Sequence, residues 1–196
     1  MGNMHIVTGH RNERHITAED AGSLNAAIFG TGNYVLNRGR KFEIAELDNN
    51  TVRVYDGDLM MQGRHIRLND NSYVDLTVEV ATQYTYRNDL IVARYTKDAD
   101  TGVEDCNLIV LQGVESEGIA EDPAYTEGDI LNDHVYIADF PLYRLKWENG
   151  IYLSIEGLFS INMAVTKTIV VGSDLPENVG GLAVGDIYIY LPESDE

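Results

Sequence analysis

From about Tyr34 onward, apolar and polar residues alternate with a period of two, the spacing that sends successive side chains to opposite faces of a strand. Val74, Leu76, Val78 and Val80 share one face while Tyr73, Asp75, Thr77 and Glu79 share the other, as a half-buried antiparallel strand requires. Residues 90–95 and 107–111 form the next pair. The turn formers between Lys97 and Glu104 join them as a hairpin with its tip near Thr101-Gly102. Residues 42–47 and 51–55 flank the polar turn Asp48-Asn49-Asn50, and Leu59-Met60-Met61 continues into residues 65–68 around Gly63. Residues 113–133 have no clear period and contain Pro123, so they read as a long acidic surface loop. Strands resume at 135–137 and 142–147, then at Ile151, Leu153 and Ile155, and finally at 168–171 and 187–191.

One segment has a helical period instead. Thr17 can cap the first turn, Glu19 and Asp20 sit where the helix dipole favours negative charge, and Gly30 is placed to terminate. Ala21, Leu24, Ala27 and Ile28 fall on one face, which predicts a helix over about 17–29 that docks this stripe on a sheet. Gly22 lowers its propensity by about 1 kcal/mol, so docking is needed to hold it. The expected fold is mainly β, an antiparallel β-sandwich or barrel-like meander with one short N-terminal helix. Residues 1–147 form the core and 148–196 a C-terminal β extension.

A length of 196 residues with 44% hydrophobic composition suffices for a proper core. No apolar run approaches the roughly 18 residues of a membrane span, and residues 1–10 lack the apolar stretch of a signal peptide. The expectation is a soluble chain made in the cytosol. Its net charge of -18 is lopsided: residues 1–67 hold eight Lys/Arg and eight Asp/Glu, residues 68–196 six and twenty-four. Between Lys97 and Arg144 there are twelve acidic residues and no basic one. Such a surface repels phosphate backbones, which argues against nucleic acid as a partner. It suits a solvated loop face, a docking surface for a basic neighbouring subunit or a calcium-stabilised loop.

Several residues invite a chemical reading. His5, His10 and His15 recur every five residues, a spacing that scatters them over any one strand or helix; a shared metal would need a threefold axis bringing copies together. Asp98 and Asp100 have the spacing that opens a calcium loop, but the position needing a bidentate Glu is Ile109, so a hairpin turn explains them as well. Cys106 stands alone beside a strand and reads as a small packed residue. Arg64 and His65 follow Gly63 at a bend, where they can meet a neighbour or satisfy groups within the chain. In the last strand Tyr188 and Tyr190 share a face opposite Ile187 and Ile189, which suits a subunit boundary or a sheet surface with its hydroxyls in water. Tyr84 and Tyr86 are the nearest approach to a saccharide platform. No nucleophile elbow, zinc-binding His pair or phosphate-cradling glycine loop occurs, and no cofactor is expected. Abundant carboxylates keep a polysaccharide hydrolase in view without forming a recognisable pair.

Ile16-Thr17-Ala18-Glu19-Asp20-Ala21-Gly22, the run from Asp56 to Leu68, and Tyr86-Arg87-Asn88-Asp89-Leu90-Ile91-Val92-Ala93-Arg94-Tyr95 together resemble tail or baseplate structural proteins of prophages from Gram-positive bacteria. Gly128-Asp129-Ile130-Leu131-Asn132-Asp133-His134 and Phe140-Pro141-Leu142-Tyr143-Arg144 extend the resemblance, which covers roughly residues 3–160. It implies a non-enzymatic subunit of a phage tail tip, baseplate or related contractile particle, located in the virion tail, homo-oligomeric and trimeric, touching other tail proteins. It carries over no catalytic residue. A receptor-binding module for host cell-wall saccharide is the alternative, and a hydrolase the third.

Overall fold

A reciprocal pair of hydrogen bonds starts the helix. Thr17 Oγ1 accepts from the Asp20 amide and Asp20 Oδ2 from the Thr17 amide, both at 3.1 Å, a capping box that satisfies two amides otherwise without helical partners. Helix α1 (Ala18–Phe29) then runs to Gly30, whose φ of 90° ends it. The computed structural model describes residues 16–162, 169–172 and 187–190, with the side chains of 16–151 and 154–162. It corrects the expected orientation of α1. The buried residues are Gly22 and Ala26, while Leu24 and Ile28 are 62% and 65% exposed. The cause is the closeness of the contact beneath: a β-carbon at Gly22 would lie 2.0 Å from Nη1 of Arg64, and one at Gly63 would lie 2.2 Å from the Gly22 carbonyl oxygen. Asn25 Nδ2 donates to the Gly63 carbonyl at 3.0 Å and fixes that approach. Only small residues fit there, so the large apolar ones face outward.

The strands in chain order are β1 (Asn33–Leu36), β2 (Ile44–Asp48), β3 (Thr51–Met61), β4 (Arg64–Thr77), β5 (Tyr86–Lys97), β6 (Glu104–Leu111), β7 (Ile137–Glu148), β8 (Ile151–Gly157), β9 (Ile161–Asn162), β10 (Ile169–Gly172) and β11 (Ile187–Tyr190). The fold is mainly β, as the alternation predicted, built on two largely antiparallel sheets, with no closed barrel among the described residues. In the first sheet β3 pairs with β4 along one edge and with β2 and then β1 along the other, and β9 lies beside β1. The second sheet has the order β6-β5-β7-β8, antiparallel throughout. The predicted hairpins β3–β4 and β5–β6 are present, the first turning at Gln62-Gly63 with φ of 47° and 82°.

The two sheets share one core, with Val35, Val54, Leu59 and Met61 from the first and Ile91, Ala93, Leu142 and Leu145 from the second. Phe42, at 2% exposure, is held between them by the Tyr143 hydroxyl, which donates to its carbonyl at 2.9 Å. Strand β7 is longer than its two predicted pieces because it runs straight through Pro141. Proline cannot donate to a ladder, and the register of β7 on β5 shifts there by one residue.

The chain divides into two compact units, Met1–Ile161 and Asn162–Glu196. Strand β8, expected in the C-terminal extension, pairs with β7 and belongs to the first unit. In the second unit β10 and β11 pair in parallel, Val170 opposite Tyr188 and Gly172 opposite Tyr190. Among the described residues no helix is long and apolar enough to cross a membrane.

Candidate functional site

Strand alternation places Tyr86 and Asn88 on one face of β5, and the β5–β7 register sets them against Glu148 and Lys146, with Arg144 two residues further along β7. Asp122 enters from the acidic loop. Arg144 Nε reaches Asp122 Oδ1 at 2.6 Å, its Nη2 takes the second oxygen, and Asn88 Nδ2 donates to Oδ1 at 2.9 Å. The other end of the guanidinium and Lys146 Nζ converge on Glu156 at 2.8 and 3.0 Å. The Tyr86 hydroxyl meets Glu148 at 3.3 Å. Tyr86, Asn88, Asp122, Arg144 and Lys146, with Ala120, Glu121 and Trp147, line an open groove of about 540 Å³, and Glu148 and Glu156 hold its residues from outside that lining.

Two carboxylates at the groove are held in their charged form. The Arg144 guanidinium holds Asp122 below the usual carboxylate range against the opposing effect of burial, with help from Asn88. Lys146 and then Arg144 do the same for Glu156. A glycosidase acid needs the opposite shift, a carboxyl kept protonated near neutral pH. This groove is instead a fixed array of amide, ammonium and carboxylate groups beside an aromatic edge, suited to hydrogen-bonding a polyol.

Its floor is rigid. Arg87, 1% exposed, makes two bonds of 2.9 Å to Asp89, a third to Glu115 at 3.2 Å and a fourth to the Glu79 carbonyl. Asp89 also accepts from Trp147 Nε1 at 2.8 Å and from the Gly113 amide at 2.9 Å. A buried charge pair is tolerable when its lone pairs and protons are satisfied in this way.

A second cleft, of about 580 Å³, opens between α1, β4 and β6 and contains both residues of the predicted basic pair. Arg64 is 8% exposed and its guanidinium forks onto Glu104 of β6 at 2.8 and 3.0 Å. Burial would raise the Glu104 pKa, but the Arg64 bond and charge outweigh it and bring it below the usual value. His65 is half exposed, with Nε2 3.6 Å from the buried carboxylate of Asp58, which Arg38 also contacts at 3.0 Å. Burial, then the charges of Asp105 and Asp139, push the Cys106 thiol up to about 12, so it stays protonated at neutral pH.

The acidic loop is a loop, as its lack of period predicted, but it is strapped to the body. Asp139, paired with Arg94 at 2.6 Å, accepts from the Thr126 amide at 2.8 Å. Gln62 donates to the Gly128 carbonyl at 2.7 Å and accepts from the Ile130 amide at 2.6 Å, and Ile130 is buried in the core.

Of the remaining candidates, Asp98 spends its Oδ1 on the hairpin tip, accepting from the Asp100 amide and from the Thr101 amide and hydroxyl at 2.7–3.1 Å; Asp100 is exposed. Tyr86 lines the groove, whereas Tyr84 is 81% exposed at a φ of 69° and is not among the groove's lining residues. His5, His10 and His15 lie outside the described residues, as do the side chains of Tyr188 and Tyr190. Among the described residues no group of three or more His, Cys, Asp and Glu is arranged to hold a metal ion. Sequence reasoning missed Asn88, Asp122, Arg144 and Lys146 as a group. The i, i+2 pairs 86/88 and 144/146 carried half of that signal, and the position of Asp122 in an aperiodic loop hid the rest. No family model matches the chain, and no curated protein matches it.

Proposed function

We propose that this protein is a non-enzymatic structural subunit of a phage tail tip, baseplate or related contractile particle. It works as a homo-oligomer, a trimer by the resemblance of its sequence blocks, and joins neighbouring tail proteins in the virion. The observation that carries this reading is the inverted helix, which turns Leu24 and Ile28 to solvent. Exposed apolar stripes of this kind mark contact surfaces. The carboxylates Asp89, Asp139 and Asp122 support it too, because each is held by a guanidinium and serves to fix strands and loops in place. Density-gradient purification of particles from an induced lysogen tests it: peptides of this chain should co-sediment with the tail at a fixed ratio to its other proteins. Recovery of the chain only in the free soluble fraction contradicts the proposal.

The groove favours a second reading, a receptor-binding module for host cell-wall saccharide. Tyr86, Asn88, Lys146 and Asp122 present an aromatic edge beside hydrogen-bonding groups, the chemistry by which sugars are held. Glycan-array binding that disappears with Asn88→Ala and Tyr86→Ala would support it; an empty array removes it.

A further inference from the structure

The outward face of α1 presents Ala21, Leu24, Ala27 and Ile28 as one exposed stripe, with Ile16 at 54% exposure just ahead of the helix. The helix does not need this stripe to hold itself on the sheet, because Gly22, Asn25 and Ala26 do that. We propose that a second copy of this chain docks here, stripe against stripe, making α1 the self-association surface. The inference rests on the subunit reading above and names the surface it would use.

Charge selects the occupant. Each copy carries a net charge of -18, all of it from residues 68–196, where twenty-four acidic residues face six basic ones; residues 1–67 balance at eight and eight. Two copies therefore repel over most of their surface. On α1 the only acidic residues are Glu19 and Asp20, both in the first turn and both engaged, Glu19 with Lys97 at 4.0 Å and Asp20 with Thr17. The stripe and the last turn are uncharged. A second copy can meet the first on this face without bringing like charges together, whereas a basic partner would be drawn to the acidic segment between Lys97 and Arg144. Identical apolar stripes can also converge on the axis of a closed cyclic assembly, whether two copies or three surround it. The stripe would form the desolvated centre of the contact, where a few residues carry most of the affinity.

The test is sedimentation equilibrium of the full chain and of Leu24→Glu/Ile28→Glu. The wild type should sediment as a multiple of 21.8 kDa. The double variant should raise the dissociation constant by about a hundredfold or more while keeping its circular dichroism, since both side chains are exposed. Asn88→Ala, in the groove, should leave the mass unchanged. An oligomer that survives the double substitution overturns the assignment of this face and leaves the subunit reading standing. A monomeric wild type also overturns it: a lowered Tm in the double variant would then assign the stripe to residues 1–15 of the same chain, and an unchanged Tm to a different protein. Co-sedimentation with particles separates failure of this inference from failure of the tail location, because a monomer found in tails contradicts this inference and the homo-oligomeric part of the subunit reading while leaving the place in the particle standing.

Discussion

Strand β5 buries Leu90, Ile91, Val92 and Ala93 at 1% exposure or less and carries Arg87 and Asp89 inside with them, whereas α1 buries Gly22 and Ala26 and gives Leu24 and Ile28 to solvent. The difference lies in what each element packs against. Strand β5 has a partner on each side and apolar neighbours, so even a charge can go inside once every donor finds an acceptor. Helix α1 meets a guanidinium and a tight turn at backbone distance, and volume decides which face fits. Residue type alone therefore does not say which side is the core; the space available beneath the element does.

The largest effect should come from breaking the buried pair in β5. Arg87→Met leaves Asp89 charged without its guanidinium, at a cost of about 3–5 kcal/mol in urea unfolding, while Arg87→Met/Asp89→Leu should recover only part of that loss, because it also takes the acceptor from Trp147 Nε1 and the Gly113 amide. A double variant no more stable than the single one would show that the pair does more than satisfy itself. Next comes the helix seat. Gly63→Ala must adopt a left-handed backbone and push on the Gly22 carbonyl, so it should cost about 1–3 kcal/mol and raise amide exchange in residues 18–29 while β5 stays protected. Gln62→Ala removes both bonds to the acidic loop and should cost about 1–2 kcal/mol, with faster proteolysis between residues 113 and 133.

The fold was legible where one face of a strand is apolar, as in residues 74–78, because a period of two fixes both the element and its buried side, and the β5–β6 hairpin was legible through two apolar runs with turn formers between them. The helix was legible as an element and misread in orientation. Its docking signal was Gly22 and Ala26, four residues apart, and small residues announce a close approach less loudly than leucine announces burial. Arg64 could be placed at a bend but not on Glu104, forty residues away, since ion pairs leave no periodicity. The groove was legible only through Tyr86. Asp122 and Arg144 are brought together by a loop whose path depends on Gln62 and Asp139, and nothing in its own sequence reveals that path.

The smallest effect is at the surface. Asp122 is held below its ordinary value, so its pairing with Arg144 contributes stability that is complete above about pH 4 and fades as pH falls through the lowered value. Arg144→Gln should therefore lower Tm slightly at pH 7, by an amount worth under about 1 kcal/mol for a partly exposed pair, and the two Tm curves should converge towards pH 3. Parallel curves down to that pH would remove Asp122 as the group responsible.

Sedimentation equilibrium of the intact wild-type chain at neutral pH tests the central claim most directly. A protein that acts through contacts with its own copies should sediment at a whole-number multiple of 21.8 kDa, and dissociate on dilution. A single species of 21.8 kDa at every concentration would contradict the account.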